Sequence, residues 1–396
     1  RDDIPQILRG LQHLYLDPGL RQRVFALLAE VLPERAGAKG KVSPDIGRPG
    51  MAQWTILVLG VLRLGLNADY DRLHELANEH ATLRQMLGVG DWHDHVRFEL
   101  QTIKDNLRLF TPELLDRINQ EVVRAGHHAL KKSPEDGLNA RADSFVVETG
   151  VEYPTDTGLL YEAVRKALGA GAEMADTYGL PGWRQAAHQL RTLKKAHRRL
   201  QKLKHSTAQN DTKRQTRQEH IQQACRDYLA RAEALTDRLR ATRGQLATLP
   251  AVPLRLAELE GYLAHAERQI EQVRRRVLRG EAIPHAEKVF SIFQPHTEWI
   301  SKGKAGVPVE LGLKVCVVED PHRFILHHHV MERTTDEQVA VPVTQATKER
   351  FPALHSISFD QGFHSPANQA ELAGLVERVV LPRKGRLSEA AKAQES

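Results

Sequence analysis

The chain has 396 residues, which is enough for two or three domains with a sizeable core. Its longest apolar run, from Trp54 to Leu59, is far too short to span a bilayer, and no signal peptide is evident. The two cysteines, Cys225 and Cys316, lie in different segments, which argues against a disulfide scaffold and against a zinc site. These features favour a cytoplasmic protein without a membrane partner.

The net charge of +6 is unevenly distributed along the chain. Residues 184–243 hold 16 of the 56 Lys and Arg residues but only 5 of the 50 Asp and Glu residues, so the remainder of the chain is net acidic. A concentrated basic surface attracts polyanions, because each neutralised phosphate releases condensed counterions. A solvated basic helix has the same composition, so the charge alone leaves both interpretations open.

Residues 1–135 are predicted to be helical, because apolar residues such as Leu8, Leu11 and Leu14 recur at helical spacing. Thr111 and Pro112 are typical of a helix start, with threonine as the N-cap and proline at the first helical position. Short helices joined by glycine-containing turns occur in helix-turn-helix DNA-binding proteins and in ordinary α-bundles. Without a recognisable basic recognition helix, the bundle is favoured.

A polar linker precedes a change to strand-like sequence, and the first predicted strand, from Ala142 to Val151, contains Asp143. The following turn contains Asp156, which could be a catalytic acid or a helix N-cap; the N-cap is favoured. Residues 176–283 then form a predicted helical insertion of coiled-coil type, with the polar tip of a helical hairpin at 204–218. Its basic residues Lys194, Lys195, Arg198 and Arg199 are candidate DNA contacts.

Strand-like sequence returns after Pro284, with a short predicted strand from Phe290 to Phe293. The segments 309–318 and 324–331 alternate in polarity and predict a hairpin. A helix within 335–349 precedes the strand that ends on Asp360. A further helix and a strand ending near Leu381 complete the order, which predicts a mixed sheet with helices on its faces.

Asp360 stands at the carboxyl end of its predicted strand, the edge where active sites of open α/β sheets usually lie. If Asp143 ends a neighbouring strand, the two carboxylates can share divalent ions. Two ions about 3.5–4 Å apart suit in-line attack on phosphate, and oxygen ligands favour Mg²⁺ or Mn²⁺. Two acids among 50 are a weak signal by themselves.

Several blocks of sequence resemble bacterial insertion-sequence transposases of the DDE type, with the ISNCY transposases as the closest group. The blocks occur in the family's order and cover nearly the whole chain: Gly47-Arg48-Pro49, Asp143-Ser144-x-x-Val147-Glu148-Thr149, Tyr153-Pro154-Thr155-Asp156-Thr157-Gly158-Leu159-Leu160, His296-Thr297-Glu298-Trp299-Ile300-x-Lys302-Gly303-Lys304, Phe359-Asp360-Gln361-Gly362-Phe363 and Ser365-Pro366-x-Asn368.

This resemblance implies an α/β protein whose RNase H-like core is interrupted by the helical insertion and preceded by an all-α DNA-binding domain. The expected domains are 1–135, a first core segment 136–175, the insertion 176–283, and a second core segment 284–396. The implied activity is metal-dependent cleavage at transposon ends and strand transfer into target DNA, with Asp143 and Asp360 holding two Mg²⁺ or Mn²⁺ ions. The implied partners are DNA and at least one further copy of the chain in a synaptic complex.

A third acid in such enzymes is a glutamate on a helix after the last core strand. Only Glu389 and Glu395 follow that strand here, and neither has the family's Arg- and His-rich surroundings. We therefore expect the third acid to lie beyond Ser396, in which case this chain would be weakly active or inactive. The alternatives are a DNA-binding coiled-coil protein that has lost catalysis, and a nuclease without strand transfer.

Other basic and histidine residues are weaker candidates. Lys302 and Lys304 lie in a glycine-containing loop, and Arg383, Lys384 and Arg386 form a basic turn; all five are candidate phosphate contacts. The run His327-His328-His329 could bind a metal, although surface histidines on an edge strand are favoured. His355 and His364 flank Asp360 and could touch substrate.

Overall fold

The computed structural model describes residues 3–31, 36–37, 40–41, 51–90, 95–131, 137–207, 209–249, 253–301 and 308–383. These residues form a mixed α/β protein that divides into two compact units. The first unit comprises Arg1–Asp143, Cys316–His329 and Thr335–Ser396, and the second comprises Ser144–Val315 and Val330–Thr334. One boundary falls directly after Asp143, within a strand, whereas the domains expected from sequence divide near residues 135, 175 and 283.

The amino-terminal part of the first unit is helical, as predicted, except for one short antiparallel strand pair. The helix Gln53–Gly65 is buried on most of its surface, because apolar residues occur on nearly all of its faces. At the start of another helix, the Thr111 side chain accepts a hydrogen bond from the Leu114 amide, as the sequence predicted. The elements are α1 (Ile4–Leu16), α2 (Pro18–Val31), β1 (Ala36–Gly37), β2 (Gly40–Lys41), α3 (Gln53–Gly65), α4 (Tyr70–Glu79), α5 (Ala81–Met86), α6 (Leu100–Leu107) and α7 (Pro112–Ala129).

Four long helices dominate the second unit and pack around one apolar cluster, to which the last contributes a π-helical extension at Arg274–Leu278. They are α8 (Asp156–Thr177), α9 (Ala186–His205), α10 (Asp211–Leu246) and α11 (Pro253–Val273). α10 begins at Asp211, so much of the predicted polar tip at 204–218 is helical. No helix within the described ranges is long and apolar enough to cross a membrane.

A mixed open sheet is formed by strands from both ends of the helical region. They are β3 (Leu138–Glu148), β4 (Glu298–Ser301), β5 (Val309–Glu319), β6 (Ile325–Met331), β7 (Leu354–Ser358) and β8 (Arg378–Val380). The strand order is β4-β5-β3-β7-β8, and β6 also pairs with β5. β3 is parallel to β7, β7 is parallel to β8, and β4 is antiparallel to β5.

The prediction of a strand at Phe290–Phe293 is wrong. That segment is a turn, in which the Ser291 hydroxyl accepts hydrogen bonds from the Phe293 and Gln294 amides. Phe290 and Ile292 are buried without joining the sheet, and Phe293 is half-exposed.

Two helices connect the last strands of the first unit: α12 (Asp336–Arg350) and α13 (Pro366–Leu375). The buried Asn368 side chain ties them together, because its amide donates to the carbonyls of Glu337 and Phe363. This contact holds the start of α12 beside the loop that follows β7, and so determines which side chains can meet there.

Candidate active site

Asp143, in the middle of β3, lies beside Asp360, which follows the end of the neighbouring strand β7. The parallel pairing of β3 with β7 matches Arg141 with Ser358, and two residues further along it brings Asp143 opposite Asp360. The backbone at Asp360 is still extended, with φ −80° and ψ 171°. Neighbouring strands are about 4.8 Å apart, and paired residues point to the same face, so the two carboxylates leave the sheet side by side.

Burial along both strands agrees with this arrangement. Ala142 and Phe359 are buried on one face, whereas Asp143 and Asp360 are exposed on the other. The Asp360 carboxylate accepts a hydrogen bond of 2.8 Å from the Gly362 amide, at the start of a short 3₁₀ helix. This bond orients one carboxylate oxygen and leaves the other available for a ligand.

A third carboxylate, that of Asp336, lies beside the same turn. A methyl group added to Gly362 would meet an oxygen of Asp360 at 2.9 Å and an oxygen of Asp336 at 3.4 Å. The two side chains therefore face one small space next to Gly362. Sequence reasoning missed Asp336, although Thr335 and Gln338 form a capping box that marks Asp336 as the first residue of a helix.

The Cys316 thiol lies close to two of these acids. Its pKa is raised to about 12, mainly by burial and further by the negative charges of Asp336 and Asp143. The thiol therefore stays protonated at neutral pH and is unsuited to nucleophilic attack. Asp143 and Asp336 thus both lie near this thiol, while Asp336 and Asp360 both face Gly362.

The donor atoms at this site suit a hard divalent cation, because all three acids offer carboxylate oxygens. Across the part of the chain that the structure describes, no group of three His, Cys, Asp or Glu side chains is placed to hold one metal ion together. The arrangement thus provides pairs of carboxylates that can bridge an ion, with water or a substrate oxygen completing its coordination.

A groove of about 430 Å³ runs along the same exposed face of the first unit. Arg141, Arg323 and Arg378 line it, and Arg141 forms an ion pair with Glu319. Asp320 also borders the groove, but its side chain is buried and accepts hydrogen bonds from the His322 and Phe324 amides. Because Arg141 and Ser358 lie two residues before Asp143 and Asp360, on the same face of their strands, this arginine-lined groove leads to the acids.

The structure places the basic DNA-contact candidates of α9 on an exposed face. Lys194, Lys195, Arg198 and Arg199 are exposed, while the other face of the helix buries Leu193, His197 and Leu200. Arg383 is exposed after β8. Lys302, Lys304, Lys384, Arg386, Glu389, Glu395 and the Gly47-Arg48-Pro49 segment lie outside the described residues.

Asp156 and His355 have other contacts than the sequence suggested. Asp156 is not the N-cap of α8: the Thr155 hydroxyl caps the helix by accepting from the Gly158 amide, and Asp156 pairs with Arg276 at 2.8 Å. His355 lies at the opposite end of β7 from Asp360 and contacts Glu377 at 3.2 Å, so it does not join the acidic site.

Comparisons of the chain with known protein families, with curated proteins and with solved structures found no significant match.

Proposed function

We propose that the chain is a DNA transposase of the DDE type, which cleaves DNA at transposon ends and joins the ends to target DNA with the help of Mg²⁺ or Mn²⁺. The observation that carries this proposal is the register of the parallel strands β3 and β7, which brings Asp143 opposite Asp360 when it is continued by two residues. Two carboxylates in that position can share the ions used in phosphoryl transfer.

The architecture supports an RNase H-like core as part of the same proposal. β3, the first long strand, lies in the middle of the sheet between β5 and β7, and the helical segment Asp156–Val273 separates β3 from β5 in sequence. The acids thus come from sequence segments on either side of the insertion, as the resemblance to transposases implies.

In this proposal, Asp143 and Asp360 hold the metal ions, and Asp336 serves as the third carboxylate instead of Glu389 or Glu395. When bound, the ions would activate the attacking water or 3′-hydroxyl and stabilise the leaving oxygen. The chain's own groups position the substrate: Arg141, Arg323 and Arg378 neutralise backbone phosphates along the groove.

The DNA partner is supported by the exposed cations of α9 and by the arginine-lined groove. Joining two transposon ends requires that at least two active sites act in one complex. A homodimer or larger synaptic complex is therefore part of the proposal.

The test is an assay of cleavage and joining on duplexes that carry the DNA bordering the coding sequence, with Mg²⁺ or Mn²⁺. We expect Asp143→Asn and Asp360→Asn to abolish both reactions but to preserve DNA binding. Asp105→Asn, at an exposed residue of α6, is the matched control and should be fully active.

Other results of this assay would lead to different conclusions about the function. Equal cleavage by the two site variants and the unsubstituted chain would overturn the assignment of the acids. Cleavage without a joined product would identify a nuclease. DNA binding without cleavage under any metal condition would favour the DNA-binding protein that has lost catalysis.

A further inference from the structure

The second unit contains a recess of about 680 Å³ that the proposed transposition chemistry does not use. It lies among the start of α8, the facing ends of α9 and α10, the π-helical extension of α11, and the segment that leads into β4. Its size falls in the range of small-molecule sites, and its lining combines aromatic rings with cations.

Three aromatic side chains form one wall of this recess. The Trp299 ring lies 5.3 Å from the Tyr153 ring and 5.8 Å from the Phe290 ring, measured between centroids. Phe290 is buried and supports the others, whereas Tyr153 is 68% exposed. A large aromatic ring held this openly offers a flat surface on which another ring can stack.

The rest of the lining is rich in cations, since the recess is also bordered by Lys204, Arg217, Arg276 and Lys288. Among the described residues that line it, the one acid is Asp156, which is paired with Arg276 at 2.8 Å. Arg217 donates to the Ser206 hydroxyl at 3.0 Å and to the Lys204 carbonyl at 2.7 Å, so neutral groups orient its guanidinium without cancelling its charge. The recess therefore keeps a positive excess beside an aromatic wall.

The aromatic wall and the cations together favour one class of ligand. A purely apolar ligand would leave the cations desolvated, and a simple anion would not use the aromatic wall. A paired base in a duplex offers no free ring face. An unpaired nucleotide satisfies both parts of the lining, because its base stacks on aromatic rings and its phosphate attracts Lys and Arg.

We propose that this recess binds one unpaired nucleotide of a DNA strand, with the base against Tyr153 and Trp299 and the phosphate beside Lys204 and Arg217. The choice of DNA as the strand rests on the proposed function. The recess itself is defined by residues that play no part in the acidic site.

The experiment is a fluorescence titration of the full chain with a single-stranded oligodeoxynucleotide carrying 2-aminopurine, whose emission changes on stacking. We expect Tyr153→Ala to weaken binding by about 5- to 100-fold and to reduce the stacking signal. Tyr262→Ala is the matched control, since Tyr262 is a partly exposed tyrosine of the same unit that lines a separate depression with Arg165 and Arg255. It should bind as the unsubstituted chain does.

The charge contribution is measured in the same way. Lys204→Ala should weaken binding and lower its salt dependence, whereas Arg231→Ala, at an exposed position of α10 outside the recess, should change neither by as much. Both variants alter surface side chains, so the fold is retained and a change in affinity reports on the site.

The proposal would be overturned by any of the following results. Unchanged affinity and stacking signal in Tyr153→Ala would exclude the aromatic wall as a binding surface. Equal binding of a fully paired duplex would exclude an unpaired nucleotide, tighter binding of RNA would exclude DNA, and equally tight binding of free dAMP would indicate a nucleotide site instead of a strand site. Asp143→Asn should bind the oligonucleotide normally, which separates failure of this proposal from failure of the transposase assignment.

Discussion

Asp143 and Asp360 are separated by most of the described chain yet lie opposite each other on adjacent parallel strands. Both side chains are exposed, and that of Asp360 also accepts a hydrogen bond from the Gly362 amide. Their closeness arises from the register of β3 with β7, and any change in that register by one residue would turn one carboxylate to the other face.

Asp336 provides the sharpest test of the composition of the site. We expect Asp336→Asn to reduce metal-dependent cleavage by at least about 10-fold, because it removes a charge from the space beside Gly362 that it shares with Asp360. Glu337→Gln, at the next residue of the same helix turn, should have a much smaller effect. If Glu389→Gln or Glu395→Gln abolishes cleavage and Asp336→Asn does not, the third acid is one of the two glutamates that follow the last predicted core strand.

His197 should make the stability of the helical unit depend on pH. The ring is stacked on Tyr161 and lies against Tyr228, and burial lowers its pKa to about 4. Its buried Nε2 atom has no hydrogen-bond partner among the residues that the structure describes. Between pH 6.5 and 4 the unfolded chain therefore binds more protons than the folded chain, so the free energy of unfolding falls as the pH falls through this window.

Replacement by phenylalanine checks that prediction. On going from pH 7 to pH 5, His197→Phe should lose about 1 kcal/mol less stability than the unsubstituted chain, after allowance for partial solvent screening. The measurement is urea unfolding at both pH values. His188→Phe, at an exposed position of the same helix, should lose as much as the unsubstituted chain; if the two variants behave alike, His197 is not the source.

Gly312 is required where β5 approaches β3. A Cβ atom at this position would overlap the backbone carbonyl oxygen of Val147, which cannot move away without breaking the strand pairing. We expect Gly312→Ala to destabilise the fold by about 2 kcal/mol in chemical denaturation. Gly261→Ala, in α11 with open space around it, should be neutral or stabilising by up to about 1 kcal/mol. Equal effects of the two substitutions would contradict this reading of the strand contact.

The exposed cations of α9 should set the salt dependence of DNA binding. If Lys194, Lys195, Arg198 and Arg199 each contact a phosphate, replacing all four by alanine should reduce the slope of log affinity against log salt by about 3 to 4. The slope is obtained from binding titrations over a range of salt concentrations. An unchanged slope would place the DNA elsewhere on the chain.

The sequence predicted the order and type of most helices and strands, because periodic apolar residues and caps such as Thr111 are local signals. It also singled out Asp143 and Asp360 as candidate acids, each from its own predicted strand. It did not reveal β4, which has few residues and pairs only with distant β5. Asp336 was missed for a similar reason: its closeness to Asp360 depends on how α12 packs, which no pattern within Thr335–Gln338 expresses.

The placement of β3 beside β7 has a consequence for synthesis of the protein. The amino-terminal helices and the helices of the second unit can pack while the ribosome is still working, since their contacts are with segments already made. The strand that carries Asp143 must wait for β7, which emerges more than 200 residues later. A nascent chain can therefore fold many of its helices before Asp143 and Asp360 come together, and the two acids meet only after β7 has left the ribosome.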